Sequence, residues 1–82
     1  MNNNYFCFDG THDIPRDVTH LIITSNCNRV IELGEIHNNV VHVTLQYYVF
    51  PFDFTILPSS VRVVVEKNHG CAPIVHNIVL LQ

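Results

Sequence analysis

Three valines set the frame of this chain. Val18, Val40 and Val61 stand 22 and then 21 residues apart. Ile14, Ile36 and Leu57 precede them at the same intervals, and Leu21, Val43 and Val64 follow each valine by three residues. Ile23 and Leu45 come two residues later in the first two copies. The shared unit is Ile/Leu-x-x-x-Val-x-x-Leu/Val, with Pro15 and Pro58 in its second place. Seventeen residues after Ile14 and Leu57 stand Ile31 and Ile74, where the middle copy has Asp53 between Phe52 and Phe54. A period of 20 to 29 residues with one strand in each is the mark of leucine-rich-repeat solenoids. One such unit cannot cover its own apolar edge, so units stack and their strands pair in parallel.

The residue types agree with strands. Val, Ile, Thr, Phe and Tyr dominate, and these favour a pleated, half-buried surface. Apolar positions do not recur at three, four and seven over any window long enough for a helix. The pattern predicts strands at about 5–8, 18–24, 40–46, 61–67 and 75–81. Each V-x-x-L-x-I strand sends its first, fourth and sixth residues inward. The linking stretches, about 14 residues each, are long enough for the return path that parallel strands need. The end of the chain departs from the period. "VEKNHGCAPIV" reads as a hairpin with Asn68, His69 and Gly70 at its turn, so an antiparallel strand is expected to close that end. The segment "YFCF" is expected to close the other end in the same way. The competing arrangement is a small antiparallel β-sandwich.

The frame I-P-x-x-V-x-x-L at this spacing resembles the FNIP repeat, a relative of the leucine-rich repeat found in social amoebae and in giant viruses of amoebae. The matching residues are Ile14-Pro15 and Leu57-Pro58 at the unit start, with Val18/Leu21, Val40/Val43 and Val61/Val64 in the strand. The likeness runs over residues 14–74. Cys27-Asn28 stands where the family has Phe-Asn, so the Asn alone is kept. Val49-Phe50 and Gly70-Cys71 take that place in the later copies. The resemblance implies a short, degenerate array: one repeat domain over 1–82, with units 14–35, 36–56 and 57–82 and an N-terminal cap over 1–13. It also implies an amoebal or giant-virus source, and action in the cytoplasm, of the host cell if viral. Some relatives carry an F-box beside the repeats, for which this chain has no room.

Composition narrows the function classes. Charged residues make up 13% of the 82-residue chain, about half the usual share of roughly 25%. Mean hydropathy is +0.21 with 48% hydrophobic residues, which argues against disorder. So few charges suggest that part of the surface is hidden in an oligomer or a partner. The net charge of −3 lacks the basic footprint of nucleic-acid binding, and Arg16, Arg29, Arg62 and Lys67 form no run. No apolar run approaches the roughly 18–20 residues of a membrane helix, and the N-terminus does not read as a signal peptide. Cys7, Cys27 and Cys71 form no C-x-x-C pair, so reduced, half-buried thiols are expected, as in a cytosolic compartment.

Six histidines raise the question of metal. His20 and His42 share one repeat position and should lie side by side, about 4.8 Å apart between strand axes. They are the candidate metal ligands, for zinc or copper, but the third copy has Val63 and no carboxylate or Cys completes the set. Two imidazoles that close would repel when charged and titrate below an isolated His. Asp9, His12 and Asp13 beside a Cys lack the setting of a catalytic triad and read as turn residues instead. No Gly-rich phosphate loop exists, no enzyme is expected, and no cofactor is implied. Phe50, Phe52 and Phe54 are expected to fill the core under a return segment. Of the adjacent Tyr47 and Tyr48, one must point outward. The reading that results is a protein-interaction or self-assembly module, most simply a homo-oligomer or a binder of a host or viral protein, without nucleic acid or membrane. Its candidate contact residues are Thr19, His20, His42, Tyr47, Tyr48 and Arg62. The alternatives are a His-dependent metal-binding module and a remnant of a longer repeat protein.

Overall fold

The computed structural model describes residues 3–78. The chain is mainly β. Five strands, β1 (Tyr5–Phe8), β2 (His20–Thr24), β3 (His42–Gln46), β4 (Val63–Lys67) and β5 (Ile74–Asn77), form one sheet in sequence order. The first three pairings are parallel and the last is antiparallel. A 3-10 turn, Phe54–Ile56, lies between β3 and β4. One mostly parallel sheet is not the antiparallel sandwich that the composition also allowed.

Each repeated valine closes a turn. The amide of Val18 donates to Pro15 O (3.2 Å), that of Val40 to His37 O (3.1 Å), and that of Val61 to Pro58 O (3.1 Å). The valine and the residue after it lie between this turn and the strand, which begins two residues later than the pattern predicts. The two residues between Pro15, His37 or Pro58 and the valine are turn residues, not strand. The valine is then buried as the chain enters the sheet. Polar side chains lock successive turns: Asn39 Nδ2 donates to Arg16 O (2.6 Å), Ser60 Oγ to Val40 O (2.7 Å), and His37 Nε2 to Ile14 O (2.8 Å).

Register follows the repeat. His20 faces His42, which faces Val63, so Leu21, Val43 and Val64 line up, as do Ile23, Leu45 and Glu66. Val18, Leu21 and Ile23 are buried, as are Val40, Val43, Leu45, Val61 and Val64. Apolar area removed from water at about 25 cal/mol per Å² is what these rows contribute. The sixth position of the last unit is Glu66, half-buried and bonded to His76 Nε2 at 2.5 Å across the β4–β5 pair. That pair takes the place of an apolar contact at the end of the core.

One expectation is corrected, and two further placements depart from a simple repeat. β1 is parallel to β2, not an antiparallel closure; the 11 residues between Phe8 and His20 are enough for the chain to cross back. Ile74 does not repeat the buried Ile31: it lies in the antiparallel β5 and is exposed. Of the adjacent tyrosines after β3, Tyr48 is the inward one. Tyr47 takes a left-handed backbone (φ +56°), which swings Tyr48 into the core and leaves Val49 80% exposed. The predicted hairpin turn is present, with Gly70 at φ +73° and Cys71 N donating to Asn68 O (3.4 Å). The last strand runs over 74–77 against the expected 75–81; Ile78 follows it outside the strand, and residues 79–81 lie outside the described residues.

Arg29 ties the first connection together. Its guanidinium grips Glu35 with two bonds (2.8 and 2.6 Å), donates from Nε to Gly10 O (2.8 Å), and sits over the Phe8 ring. That bond holds the Glu35 carboxyl below its usual value. Gly10 has φ +88°, and a Cβ there would stand 3.2 Å from Cys27 Sγ. The positive φ favours glycine, and the close Sγ leaves little room for a side chain.

Candidate functional site

The outer face of the sheet is the surface that the repeat builds. Side chains alternate across a strand, so the residues between the buried ones share this face. One row runs Tyr5, His20, His42, Val63, Asn77. The next runs Cys7, Ile22, Thr44, Val65, Val75. Thr24, Gln46 and Lys67 form a third. The first row is an aromatic ladder. Tyr5 lies 4.6 Å from His20 between ring centroids, and His20 lies 5.4 Å from His42 with the planes 18° apart. The second row is almost wholly apolar. Thr44 is buried although it points outward, flanked in register by Ile22 and Val65.

The candidate residues separate on this geometry. His20 and His42 are brought together on the face as expected. Burial lowers the His42 pKa, helped by His20 and Lys67. Thr19 is occupied: its Oγ1 accepts from Asn4 N (2.9 Å) and lies 2.9 Å from His20 Nδ1, so it orients the ring and anchors the start of β1. Arg62 is exposed before β4, and its amide donates to Val41 O (2.9 Å). Tyr47 stacks on His69 at 4.1 Å, beside an open cleft of about 640 Å³ with Ser25, Val49 and Asn68. Tyr48 is a correction. Its ring is buried and its hydroxyl donates to Arg29 O (2.7 Å), so it serves the core and is not offered to a partner. Burial also pushes that hydroxyl's pKa up.

Metal binding finds little in this arrangement. The His20 and His42 rings are stacked, and nitrogen lone pairs lie in the ring planes, so the two point alongside each other and not at a shared point. Among the described residues no group of three or more His, Cys, Asp or Glu could hold an ion. The other histidines are scattered: His37 bonds Ile14 O, His69 covers Tyr47, His76 meets Glu66 and Phe54, and His12 is exposed beside Asp9. The cysteines are free, with Cys27 fully buried and Cys7 and Cys71 exposed, not half-buried as expected.

Asp9 caps a backbone amide as its reading as a turn residue expects, and two features escaped that reading: the matching turn at Asp53 and an apolar outer row. Asp9 and Asp53 each accept the amide and hydroxyl of the Thr two residues on, at 2.9 and 2.7 Å for Thr11 and 2.9 and 2.6 Å for Thr55. The Thr11 amide is the main reason that the Asp9 pKa falls to about 2. The Asp-x-Thr spacing was the available signal. The second is the apolar outer row, which was legible as Ile22, Val65 and Val75 once the alternation was followed to both faces.

No family model matches the chain, and comparison with curated proteins and with solved structures finds no similar protein. No helix among the described residues is long and apolar enough to cross a membrane.

Proposed function

We propose that this chain is a non-enzymatic protein-interaction module, a short leucine-rich-repeat-like solenoid of FNIP type that offers the outer face of its sheet to another protein. The observation that carries the reading is the chemistry of that face. A sheet face turned to water ordinarily alternates to polar residues. Here it holds Tyr5, His20, His42, Ile22, Val63, Val65 and Val75, with Lys67 as the charge in its third row. Contact surfaces favour aromatic residues and few charges at their centre. The stacked registry of equal repeat positions and the closing valine turns support the solenoid reading. An amoebal or giant-virus source and a cytoplasmic place of action belong to the same proposal.

The test is affinity capture with variants. The wild-type chain is used as bait in amoebal lysate, and any specific prey is measured against Val65→Lys and against Val49→Lys as control. Val65 is on the face and Val49 is on the exposed rim. The reading expects Val65→Lys to lose the prey by at least about tenfold and Val49→Lys to keep it. Equal loss or equal retention in the two variants contradicts it.

A further inference from the structure

The first strand leaves one side without a partner. β1 is the end of the sheet, paired with β2 and with nothing beyond it among the described residues. Asn4 turns its backbone toward β2: its carbonyl accepts from Thr19 N and His20 N at 2.9 Å, and its amide donates to Thr19 Oγ1. Alternate residues of a parallel ladder bond to opposite sides. Phe6 and Phe8 therefore bond inward with Asn4, and the N–H and C=O of Tyr5 and Cys7 point out from the edge. Natural edges are guarded by Lys, Pro, bulges or covering loops. The stretch Tyr5–Phe8 has no charge and no Pro. At the opposite end, Pro73 stands directly before β5, and the Glu66–His76 pair closes the core.

We propose that a second copy of this chain docks on the β1 edge, antiparallel about a two-fold axis at Phe6, to make one sheet continuous through both copies. The free amides restrict the register, and centring on Phe6 engages both outward residues of the strand where centring on Tyr5 or Cys7 engages one. Only pairings that place an outward residue opposite an outward residue make bonds, and centring on Phe6 sets Tyr5 opposite Cys7 of the second copy, and Cys7 opposite its Tyr5. About four backbone hydrogen bonds form, two in each such pair. The same register places Asp9 opposite Asn3 of the second copy, a carboxylate against an amide. Centring on Asp9 would set two carboxylates face to face. Phe6, half-buried on the core side, meets Phe6 of the second copy and completes its burial. Such an edge is self-complementary, so the assembly closes at two; pairing β1 with β5 of another copy would instead propagate without end. This interface uses the strand edge and leaves most of the outer sheet face free, so it stands apart from the protein-binding face proposed above.

Sedimentation of the full chain in reducing buffer, across the micromolar range, tests the dimer. The expected result is a monomer–dimer equilibrium between 9.4 kDa and twice that mass. Cys7→Lys puts a charge on the edge and should weaken the dimer at least about tenfold, whereas Val65→Lys should leave it within about twofold. Amide exchange on the unaltered chain gives a second reading, and it decides the matter should Cys7→Lys fail to fold. The Tyr5 and Cys7 amides should slow as concentration rises, while those of Phe6 and Phe8 stay constant. A single 9.4 kDa species at every concentration overturns the proposal. So do a dimer indifferent to Cys7→Lys, assemblies that grow beyond two, or Tyr5 and Cys7 exchange that ignores concentration. A monomer that still captures prey through its face would sink the dimer alone.

Discussion

The connection after β2 and the connection after β3 perform one task with unequal neighbours. The first, residues 25–41, runs between the loop that follows β1 and the second connection. It buries Cys27, Ile31 and Ile36, and Arg29 fastens it to Glu35 and to Gly10 O. The second, residues 47–62, is covered on one side by the first. Tyr48 is buried, but Phe50, Phe52, Phe54, Ile56 and Leu57 only pack partly against the core. The Phe54 ring meets the edge of His76, where the next unit would otherwise lie. The lesson is that a repeat's interior is made by its neighbour. The last return path carries large aromatic rings because it must shield itself.

The difference is sharpest in the core. Ile31→Ala should cost about 3 kcal/mol, because a fully enclosed site cannot collapse around the lost atoms. Phe54→Ala should cost less, about 1–2 kcal/mol, although it removes more atoms, since its ring is only partly buried. Urea unfolding of both variants measures this. A larger cost at Phe54 would break the contrast between the connections.

The ties at the two ends are next. Arg29→Met leaves the Glu35 carboxylate without its partner and Gly10 O without its donor, and should cost about 2 kcal/mol. His76→Gln should cost under about 1 kcal/mol, because its pair with Glu66 is one-third exposed. The same contrast recurs at the glycines. Gly10→Ala meets Cys27 Sγ as well as a positive φ and should cost about 2 kcal/mol; Gly70→Ala meets only its φ and should cost about 1 kcal/mol. Thermal melts at one pH rank all four.

The smallest effect separates the sheet face from the first connection by pH. Folded His42 holds its proton less tightly than in the unfolded chain, where the value is 6.5. Just below 6.5 the unfolded state therefore binds more protons, and stability rises with pH through that window to its full value above it. His42→Gln should flatten the dependence there. Glu35 is also depressed, so its contribution is complete above 4.5 and is lost as pH falls through its folded value. Glu35→Gln should remove Glu35's share of the acid limb, leaving that of Asp9 and Asp53 below 3.8, and keep the His42 window intact. Urea titrations from pH 8 to 3 distinguish the two.

The sheet was readable because its information is periodic. Val18, Val40 and Val61 mark phase, and Leu21, Val43 and Val64 follow them into the core. The ladder of His20 and His42 came from the same register. What escaped depends on single conformations or long reach. Nothing in "QYYVF" announces that Tyr47 turns left-handed, and that one dihedral exchanges the fates of Tyr48 and Val49. Arg29 reaches Gly10 across 19 residues that share no repeat. β1 lies before the first unit, so no period told its direction, and its parallel pairing rests on the crossing formed by residues 9–19.

The claim that matters most for function is that the outer sheet face, and not the aromatic rim, meets another protein. The direct measurement is the affinity of a captured prey for the wild-type chain, Val65→Lys and Val49→Lys, each first confirmed as folded by its melt. The face account predicts that Val65→Lys weakens binding at least about tenfold and Val49→Lys leaves it within about twofold. Weakening by Val49→Lys with Val65→Lys unaffected would move the contact to the Tyr47–His69 rim and contradict the account.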